Sequence, residues 1–375
     1  MASLDQGADG VHARGRLAER PSEFPAKGWK DILWRVYAEA TEDRLMLLAA
    51  GATFYLLLAL FPFLTAFVSL YGFVADPVTV ADHIAFLGSF MPGGGVELIG
   101  SQLKALATQN PSSLSLGFIF GLALALWSAN NGVKALIEGL NAAYDEDEKR
   151  SFIKLNLVSF AFTIGAILTG IFFLISVGVV PAMLALFHLG SVAEVLISIG
   201  RWPVMLIAVI AGISLLYRYG PSRARPQWRW VTWGAVFAAV VWIVASIAFS
   251  WYLQNFADYN ATYGALGAVI GFMVWVWISC TILFVGAELN AEMEHQTARD
   301  TTTGKAQPMG ARGAKMADEL GKAADGSETP EQRDEAAYQA AAAAGTTMRP
   351  HESMTNWLKR LFTRREPQPG GRRAP

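Results

Sequence analysis

The sequence predicts an all-α protein, a polytopic membrane helix bundle with six transmembrane helices and additional interfacial amphipathic helices. Of its 375 residues, 53% are hydrophobic and only 16% are charged, whereas a soluble domain usually carries about a quarter charged residues. The charges also avoid several long internal stretches, and a bilayer core takes roughly 20 apolar residues per helical crossing. Low charge content and segregation of the charges together predict a membrane protein.

Six apolar stretches satisfy the length that a crossing requires. The fourth has two alternatives, because Arg201 and Pro203 interrupt an apolar run that begins at Val192. It is either one long helix with a proline kink or a short helix that follows an interfacial segment. The predicted spans are 46–70, 114–136, 155–180, 203–217 (or from about 192), 231–253 and 264–287.

The positions of lysine and arginine predict the orientation, since basic residues are retained on the cytoplasmic side. The two ends and alternate loops hold 28 of the 30 basic residues, and only Lys104 and Arg201 lie on the other side. Five or seven spans would break this alternation. The N-terminal segment lacks the apolar run of a signal peptide. We therefore predict a multi-pass protein of a bacterial inner (cytoplasmic) membrane with both termini in the cytoplasm.

The spans belong to a predicted membrane domain, 29–296, which is flanked by polar tails. Residues 1–28 and 297–375 are predicted to be disordered, because their composition is polar and of low complexity. Apolar residues at helical spacing from Trp29 to Ala40 predict an amphipathic helix that either lies on the cytoplasmic leaflet or packs on the bundle. The loop 72–113 predicts two short amphipathic helices, with a re-entrant hairpin as the alternative.

A basic amphipathic helix is predicted near residues 353–365. Its apolar residues recur at helical spacing and basic residues fill most other positions, a pattern that suits an anionic membrane surface. The alternative is a helix that binds a partner or has no role. The residues predicted to contact the membrane surface are Trp357, Lys359, Arg360, Arg364 and Arg365.

Polar residues at or near membrane depth are the candidates for function, because they normally face protein or water rather than lipid. On a continuous helix, Asn131, Lys134 and Glu138 form one stripe that continues to Asn141. The predicted lining of a cavity or substrate path is Asn130, Asn131, Lys134, Glu138 and Arg201. The alternatives are a stripe that is solvated in the cytoplasm and an Arg201 that marks the outer interface.

A second prediction concerns the inner end of the sixth span. A salt bridge from Glu288 to Arg218 or Arg223 would tie spans four and six together. Small residues at helix-packing spacing, such as Gly234 with Ala238, predict close approach of the helices. The five histidines are scattered and Cys280 is the single cysteine, so we expect no metal site, no cofactor and no disulfide.

Four motifs, in order, make the sequence resemble the YihY/BrkB family of bacterial inner-membrane proteins. They are AGATFYLLLALFPFLTAFVSLYG (50–72), LWSANNGVKALIEGLNAAYDEDEKRSFIKLN (126–156), LLYRYGP (215–221) and FADYNATYGALGAVIGFMVWVWISCTILFVGAEL (256–289). The resemblance covers residues 29–295 and implies six spans with cytoplasmic ends. The family once carried the label ribonuclease BN, which is regarded as mistaken. This sequence has no His/Asp/Glu constellation to activate water for phosphodiester cleavage, so we expect no enzyme and no nucleic-acid partner.

Two functions remain as hypotheses. The first is a transporter- or flippase-like protein for an amphiphilic, lipid-related substrate, and the second is a non-transporting scaffold for cell-envelope processes. The expected partners are membrane lipids, with envelope proteins or a second copy of the chain as further ones.

Overall fold

The computed structural model describes residues 12–71, 116–180, 191–255 and 267–346. Over these ranges the regular structure is helical, and the described residues form no strand beyond one isolated bridge between Pro226 and Thr302. The helices are α1 (Ala26–Glu42), α2 (Leu45–Tyr71), α3 (Leu116–Ala143), α4 (Phe152–Leu174), α5 (Ser191–Tyr219), α6 (Trp228–Asn255), α7 (Gly267–Gln296), α8 (Lys315–Asp318) and α9 (Pro330–Ala343).

Four helices within the described ranges are long and apolar enough to cross a membrane: Phe152–Val177, Val195–Tyr219, Trp228–Leu253 and Val269–Gln296. A fifth crossing is added if Ala26–Glu42 and Leu45–Leu60, which meet at a 59° bend, count as one broken span. Large apolar side chains such as Leu168, Leu196 and Ile247 are exposed on these helices, as lipid-facing side chains are. The helices are compatible with the six predicted spans.

The fourth predicted span is a single helix, α5, that runs from Ser191 through Pro203 to Tyr219. The long-helix alternative therefore describes it. Arg201 lies 18 residues before Tyr219, or about 27 Å at 1.5 Å per residue. Because a hydrocarbon core is about 30 Å thick, Arg201 lies close to the boundary opposite Tyr219.

Small residues bring the core helices into close contact, as predicted for Gly234 and Ala238. A Cβ on Gly234 of α6 would lie 2.1 Å from the carbonyl oxygen of Gly286 on α7. On α3, a Cβ on Gly139 would lie 2.1 Å from Cζ of Phe284. Phe284 is completely buried and belongs to the central apolar cluster that α2, α3, α5, α6 and α7 share.

The basic segments of the sequence meet at one end of the bundle, in what we call the polar cap: residues 12–44, 144–151, 220–227 and 297–346. The amide of Ala298 donates to the carbonyl of Arg16 at 2.7 Å, and the amide of Ala224 donates to the carbonyl of Gly313 at 2.9 Å. The side chain of Lys315 pairs with Asp145. In the six-span prediction, two crossings separate each cap segment from the next. The meeting of these segments at one end of the bundle is compatible with that prediction.

The prediction of disordered tails is wrong for residues 12–28 and 297–346. Arg16 is completely buried, where it pairs with Glu328 and donates to the carbonyl of Gly321 at 2.6 Å. The alanine-rich stretch forms α9, whose start is fixed by a capping box between Thr329 and Gln332. Composition misled the prediction, because alanine has high helix propensity and small side chains pack closely once a partner surface exists.

Helix α1 forms as predicted. It combines features of both predicted positions, on the membrane surface and packed on the bundle. Ile32 and Arg35 are buried against the rest of the protein, while Leu33, Trp34 and Tyr37 are exposed. The helix therefore packs on the bundle and also presents an apolar face. The loop 72–113, the basic segment 353–365 and residues 1–11 lie outside the described residues.

Candidate functional site

The C-terminal end of α7 carries a run of polar side chains with no solvent exposure. Asn290 connects α7 to α6: its Oδ1 accepts from the amide of Gly234 at 2.8 Å, and its Nδ2 donates to the carbonyl of Val231 at 3.1 Å. The buried polar residues of this run are Glu288, Asn290, Glu292, Glu294, Gln296 and Thr297. Polar groups at such depth require partners, and most of the run has them.

Glu292 and Gln296 anchor α1 to the end of α7. Arg35 pairs with Glu292 and also donates to Oε1 of Gln296 at 2.8 Å. The side-chain amide of Gln296 in turn donates to the carbonyl of Arg14 at 2.8 Å. The N-terminal segment is therefore attached to α7 by hydrogen bonds that water does not reach.

The predicted salt bridge from Glu288 is wrong. Arg223 donates to Oε2 of Glu294 at 2.6 Å, and Arg218 donates to the carbonyl of Pro226 at 2.6 Å while its guanidinium lies 4.4 Å from the ring centroid of Trp228. The reason is length: α7 continues to Gln296, so the residue level with the 220–227 segment is Glu294, about 9 Å further along the helix axis than Glu288.

Glu288 is the exception in the run. It is completely buried, and neither of its carboxylate oxygens has a hydrogen-bond partner. Phe284, Ala287 and Ala291, its neighbours along α7, are apolar and buried. A carboxyl group with no partner in the interior is costly when ionised, which makes it a candidate for function rather than for stability.

The polar stripe of α3 divides into two parts, and the first lies at the junction with α4. Asn130 is completely buried; its Nδ2 donates to Oδ1 of Asn156 on α4 at 3.3 Å, and its own Oδ1 has no partner. One turn later, Nζ of Lys134 lies 5.3 Å from the ring centroid of Trp127 and 5.6 Å from that of Phe152. Asn131 is half-buried beside them.

The surface around this junction is apolar and exposed. Trp127 is 46% exposed, and Phe152 and Ile153 are 70% and 71% exposed. We call this surface the α3–α4 face; it consists of Leu124, Trp127, Asn131 and Lys134 of α3 with Phe152, Ile153, Asn156 and Leu157 of α4, and the buried Asn130 is joined to it through Asn156. A cation and amide groups thus lie at the base of a surface that otherwise suits lipid.

The second part of the stripe, Glu138 and Asn141, lies near the end of α3 next to the polar cap and lines a cavity of about 1090 Å³. Asn141 holds the cavity wall together, because its Oδ1 accepts from the amide of Ser222 at 2.8 Å and its Nδ2 donates to Glu148 at 3.2 Å. Three basic residues line the cavity, Lys149, Lys315 and Arg333. Nine acidic ones do so: Asp43, Glu138, Asp145, Glu146, Asp147, Glu148, Asp318, Glu319 and Asp334. We call it the acidic cavity.

Two carboxyl groups of the acidic cavity have shifted pKa values. Burial raises the pKa of Asp43 to about 6, and the like charges of Asp145, Glu39 and Glu42 act in the same direction. For Glu148 burial opposes ionisation, but hydrogen bonds from Arg150 and Asn141 outweigh it and lower the pKa to about 2. Within the described ranges, no group of three or more His, Cys, Asp or Glu side chains is arranged to hold a metal ion.

Arg201 is not brought together with the other predicted site residues. Its guanidinium lies 5.5 Å from the ring centroid of Trp202, and its Nε has no hydrogen-bond partner. The described residues show no hydrogen bond or ion pair between Arg201 and the stripe of α3.

Comparison with known proteins places these features in a family. A family model described as Virulence factor BrkB matches residues 36–310. The chain belongs to this family. The BrkB match includes the α3–α4 face and Glu288, and it ends inside the polar cap, before α8 and α9.

The relatives include proteins from several bacteria. A ribonuclease-like protein by name, YfkH of Bacillus subtilis strain 168, is 34% identical over 65% of this chain and 88% of its own length. The UPF0761 membrane protein IL2447 of Idiomarina loihiensis is 27% identical over 56% of this chain and 71% of its own length. A UPF0761 membrane protein of Delftia acidovorans is 27% identical over 73% of this chain and 66% of its own length. No solved structure matches this chain.

Sequence reasoning missed the residues that join the cap to the bundle, above all Tyr144, Asn290 and Glu294. Tyr144 is completely buried, and the guanidinium of Arg223 lies 4.7 Å from its ring centroid. A signal was present in the run ELNAEMEHQ, whose density of acids and amides directly after an apolar helix requires buried or solvated partners. It did not show which.

Proposed function

We propose that this BrkB-family membrane protein is transporter-like, that its substrate is an amphiphilic, lipid-related molecule, and that the α3–α4 face binds it. The observation that carries the proposal is the buried Oδ1 of Asn130, which has no hydrogen-bond partner and lies one helical turn before the cation Lys134, next to exposed apolar side chains of α3 and α4. Unsatisfied polar atoms in a bilayer are expensive and mark functional positions.

The chemistry of the face matches the two halves of an amphiphile. Lys134 forms no ion pair with any residue that the structure describes, so its charge is available to a phosphate or carboxylate head group. Asn130 and Asn131 add amide groups for a head group's hydrogen bonds. Next to them the exposed side chains of Ile153 and Leu157 provide an apolar surface for an acyl chain.

The proposal places the polar cap on the cytoplasmic side of a bacterial inner membrane, because positively charged segments are retained on that side. It includes no catalytic step and does not carry the ribonuclease-like name of the Bacillus relative over to this chain.

Lipid binding by the purified chain tests the proposal. Native mass spectrometry with an anionic and a zwitterionic phospholipid should show a preference for the anionic one. Lys134→Gln should weaken that preference about fivefold, because one basic residue near the surface contributes about 1 kcal/mol. Lys154→Gln removes an exposed cation one turn into α4 and is the matched control, with a smaller effect.

Movement is tested in proteoliposomes with a head-group-labelled anionic phospholipid and an impermeant quencher. Wild-type protein should expose inner-leaflet label faster than protein-free vesicles do, and Asn130→Ala should slow that exposure. Equal rates with and without the wild-type protein, for anionic and zwitterionic probes alike, would count against transport of this class of substrate.

The second candidate function is a scaffold for cell-envelope proteins, and the folded polar cap favours it. Residues 297–346 form an ordered surface that contributes Asp318, Glu319 and Asp334 to the acidic cavity, and ordered surfaces bind partners with less loss of conformational entropy. In cells that depend on the protein, Lys134→Gln with Asn130→Ala should abolish activity if it transports. Those substitutions should leave activity intact if the cap alone acts.

A further inference from the structure

Glu288 has no described role in holding the structure together. It is 0% exposed and both carboxylate oxygens are without a hydrogen-bond partner, although the four other buried polar residues that follow it on the same helix are all bonded. A buried carboxylate of this kind is unfavourable, whereas a neutral carboxylic acid is tolerated.

The cations near this end of α7 are committed elsewhere. Arg35 pairs with Glu292, Arg223 pairs with Glu294, and Arg218 donates to the carbonyl of Pro226. The ionisable groups whose charges act on Glu288 come from every side and are acidic: Glu39 of α1, Asp43 at the bend before α2, Asp145 after α3 and Glu292 of α7. Tyr144, also after α3, is close enough for the charge of Glu288 to act on it.

Two of the acids whose charges act on Glu288 line a cavity that water can enter. Asp43 and Asp145 line the acidic cavity, and Asp43 lies two residues before Leu45, the first residue of α2, which belongs to the same buried cluster as Phe284 and Ala287. Burial raises the pKa of Asp43 to about 6, so this wall of the cavity contains a carboxyl group that gains and loses a proton near neutral pH.

We propose that Glu288 is a proton-binding site, loaded from water in the acidic cavity by way of Asp43. In the loading step the O–H bond of protonated Asp43 breaks and a new O–H bond forms on the carboxylate of Glu288; because neither oxygen of Glu288 has a hydrogen-bond partner in this structure, a water molecule between the two carboxyl groups relays the proton. Asp43 is left as a carboxylate and recovers a proton from cavity water. The donor is water, so the step needs no oxidant or reductant.

A role for Glu288 in coupling rests on the proposed function. A proton gradient that acts through Glu288 supplies the driving force for movement of the amphiphile, and Glu288 is the buried carboxyl group with both oxygens unpaired among the described residues. Alternation between a neutral and a charged Glu288 changes the cost of burying the α2–α3–α7 core, and such a change is what couples an ion to a conformational equilibrium.

Infrared difference spectroscopy of the full chain tests the proton site without any substrate. At neutral pH the wild-type protein should show a carbonyl-stretch band of a protonated carboxylic acid, and Glu288→Gln should remove it. Glu138→Gln, which changes an exposed carboxylate of the acidic cavity, is the matched control and should retain the band. Asp43→Asn should retain the band but slow its loss and recovery after a pH jump.

The outcomes separate the two proposals. Absence of the band in wild type, or its persistence in Glu288→Gln, overturns the proton site; if Glu288→Gln does not fold, an unaltered rate in Asp43→Asn overturns it. Once the band is assigned to Glu288, coupling of the proton to transport is supported if the amphiphile moves at least fivefold faster under an imposed pH gradient. A band at Glu288 with no movement under any gradient leaves the proton site standing and rejects the transporter.

Discussion

Arg223 donates a 2.6 Å hydrogen bond to Glu294, and the two side chains are 1% and 0% exposed. The hydroxyl of Thr301 donates to the same carboxylate oxygen at 2.6 Å, and the ring of Tyr144 lies against the guanidinium. Four separate parts of the chain thus meet at one ion pair: the ends of α3 and α7, the segment between α5 and α6, and the start of the C-terminal segment. The polar cap is built around this contact.

Breaking this pair should destabilise the protein strongly. Glu294→Gln leaves Arg223 buried without its counter-ion, and loss of one partner of a buried pair costs about 3–5 kcal/mol. Thermal unfolding in detergent should show a much lower Tm, whereas Glu138→Gln, a change at an exposed carboxylate, should leave Tm nearly unchanged. The reversed pair, Arg223→Glu with Glu294→Arg, should recover part of the loss; equal Tm values for Glu294→Gln and wild type would refute the role of the pair.

Gly234→Ala should separate α6 from α7. The added Cβ would lie 2.1 Å from the carbonyl oxygen of Gly286 and 2.5 Å from Oδ1 of Asn290, and rigid backbone cannot move away as a side-chain end does. Overpacking of this kind costs about 1–3 kcal/mol. Gly212→Ala in α5 is the control, because nothing lies within 4 Å of its Cβ position, and it should be neutral or slightly stabilising. The comparison is made by detergent unfolding curves.

Arg16→Ala should release the C-terminal segment. Arg16 is completely buried, pairs with Glu328, and donates to the carbonyls of Gly321 and Gln296, so its removal leaves a buried carboxylate and two carbonyls without a donor. We expect trypsin to cleave within residues 297–346 at least tenfold faster than in wild type. Arg20→Ala is the control, because it removes an exposed arginine from the same N-terminal segment as Arg16. If cleavage is equally fast in Arg20→Ala, the effect is not specific to the buried pair of Arg16 and Glu328.

Glu148 should contribute to stability in a pH-dependent way. Its pKa in the folded protein is about 2, below the ordinary value of 4.5, so the folded state binds this proton less tightly than the unfolded state does. The contribution is therefore fully present above about pH 4.5 and is lost as the pH falls through about 2. Arg150→Gln removes the donor that lowers the pKa and should flatten the change in Tm over this window. An unaltered pH profile in that variant would contradict the assignment.

Much of the fold could be predicted from the sequence because the bilayer imposes a simple rule. Helices α2 to α7 fall on the six apolar stretches, since a spanning segment must satisfy its backbone internally and present apolar side chains to lipid. The run from Val192 illustrates the limit of that rule. Hydropathy alone left open whether the helix begins before or at Pro203. The structure decided this, because α5 runs without interruption from Ser191 to Tyr219.

The polar cap was not predictable in the same way. Its contacts join residues that are hundreds of positions apart, such as Arg16 with Glu328, and the composition of 297–346 resembles that of a disordered tail. Specific pairing, rather than hydrophobic content, gives this segment its structure, and pairing depends on which surfaces meet. For the same reason the partner of Arg223 is Glu294 and not Glu288.

By itself, the sequence determined where the membrane helices lie and which ends carry the positive charge, because both follow from the transfer cost of individual side chains. Only the tertiary structure decided which polar residues are satisfied. Asn290 and Glu294 bind partners on other segments, whereas Asn130 retains an unpaired oxygen beside the exposed α3–α4 face and Glu288 remains without a hydrogen-bond partner. Satisfaction of a buried polar group depends on the geometry of its neighbours in space, and no local pattern along the chain records that geometry.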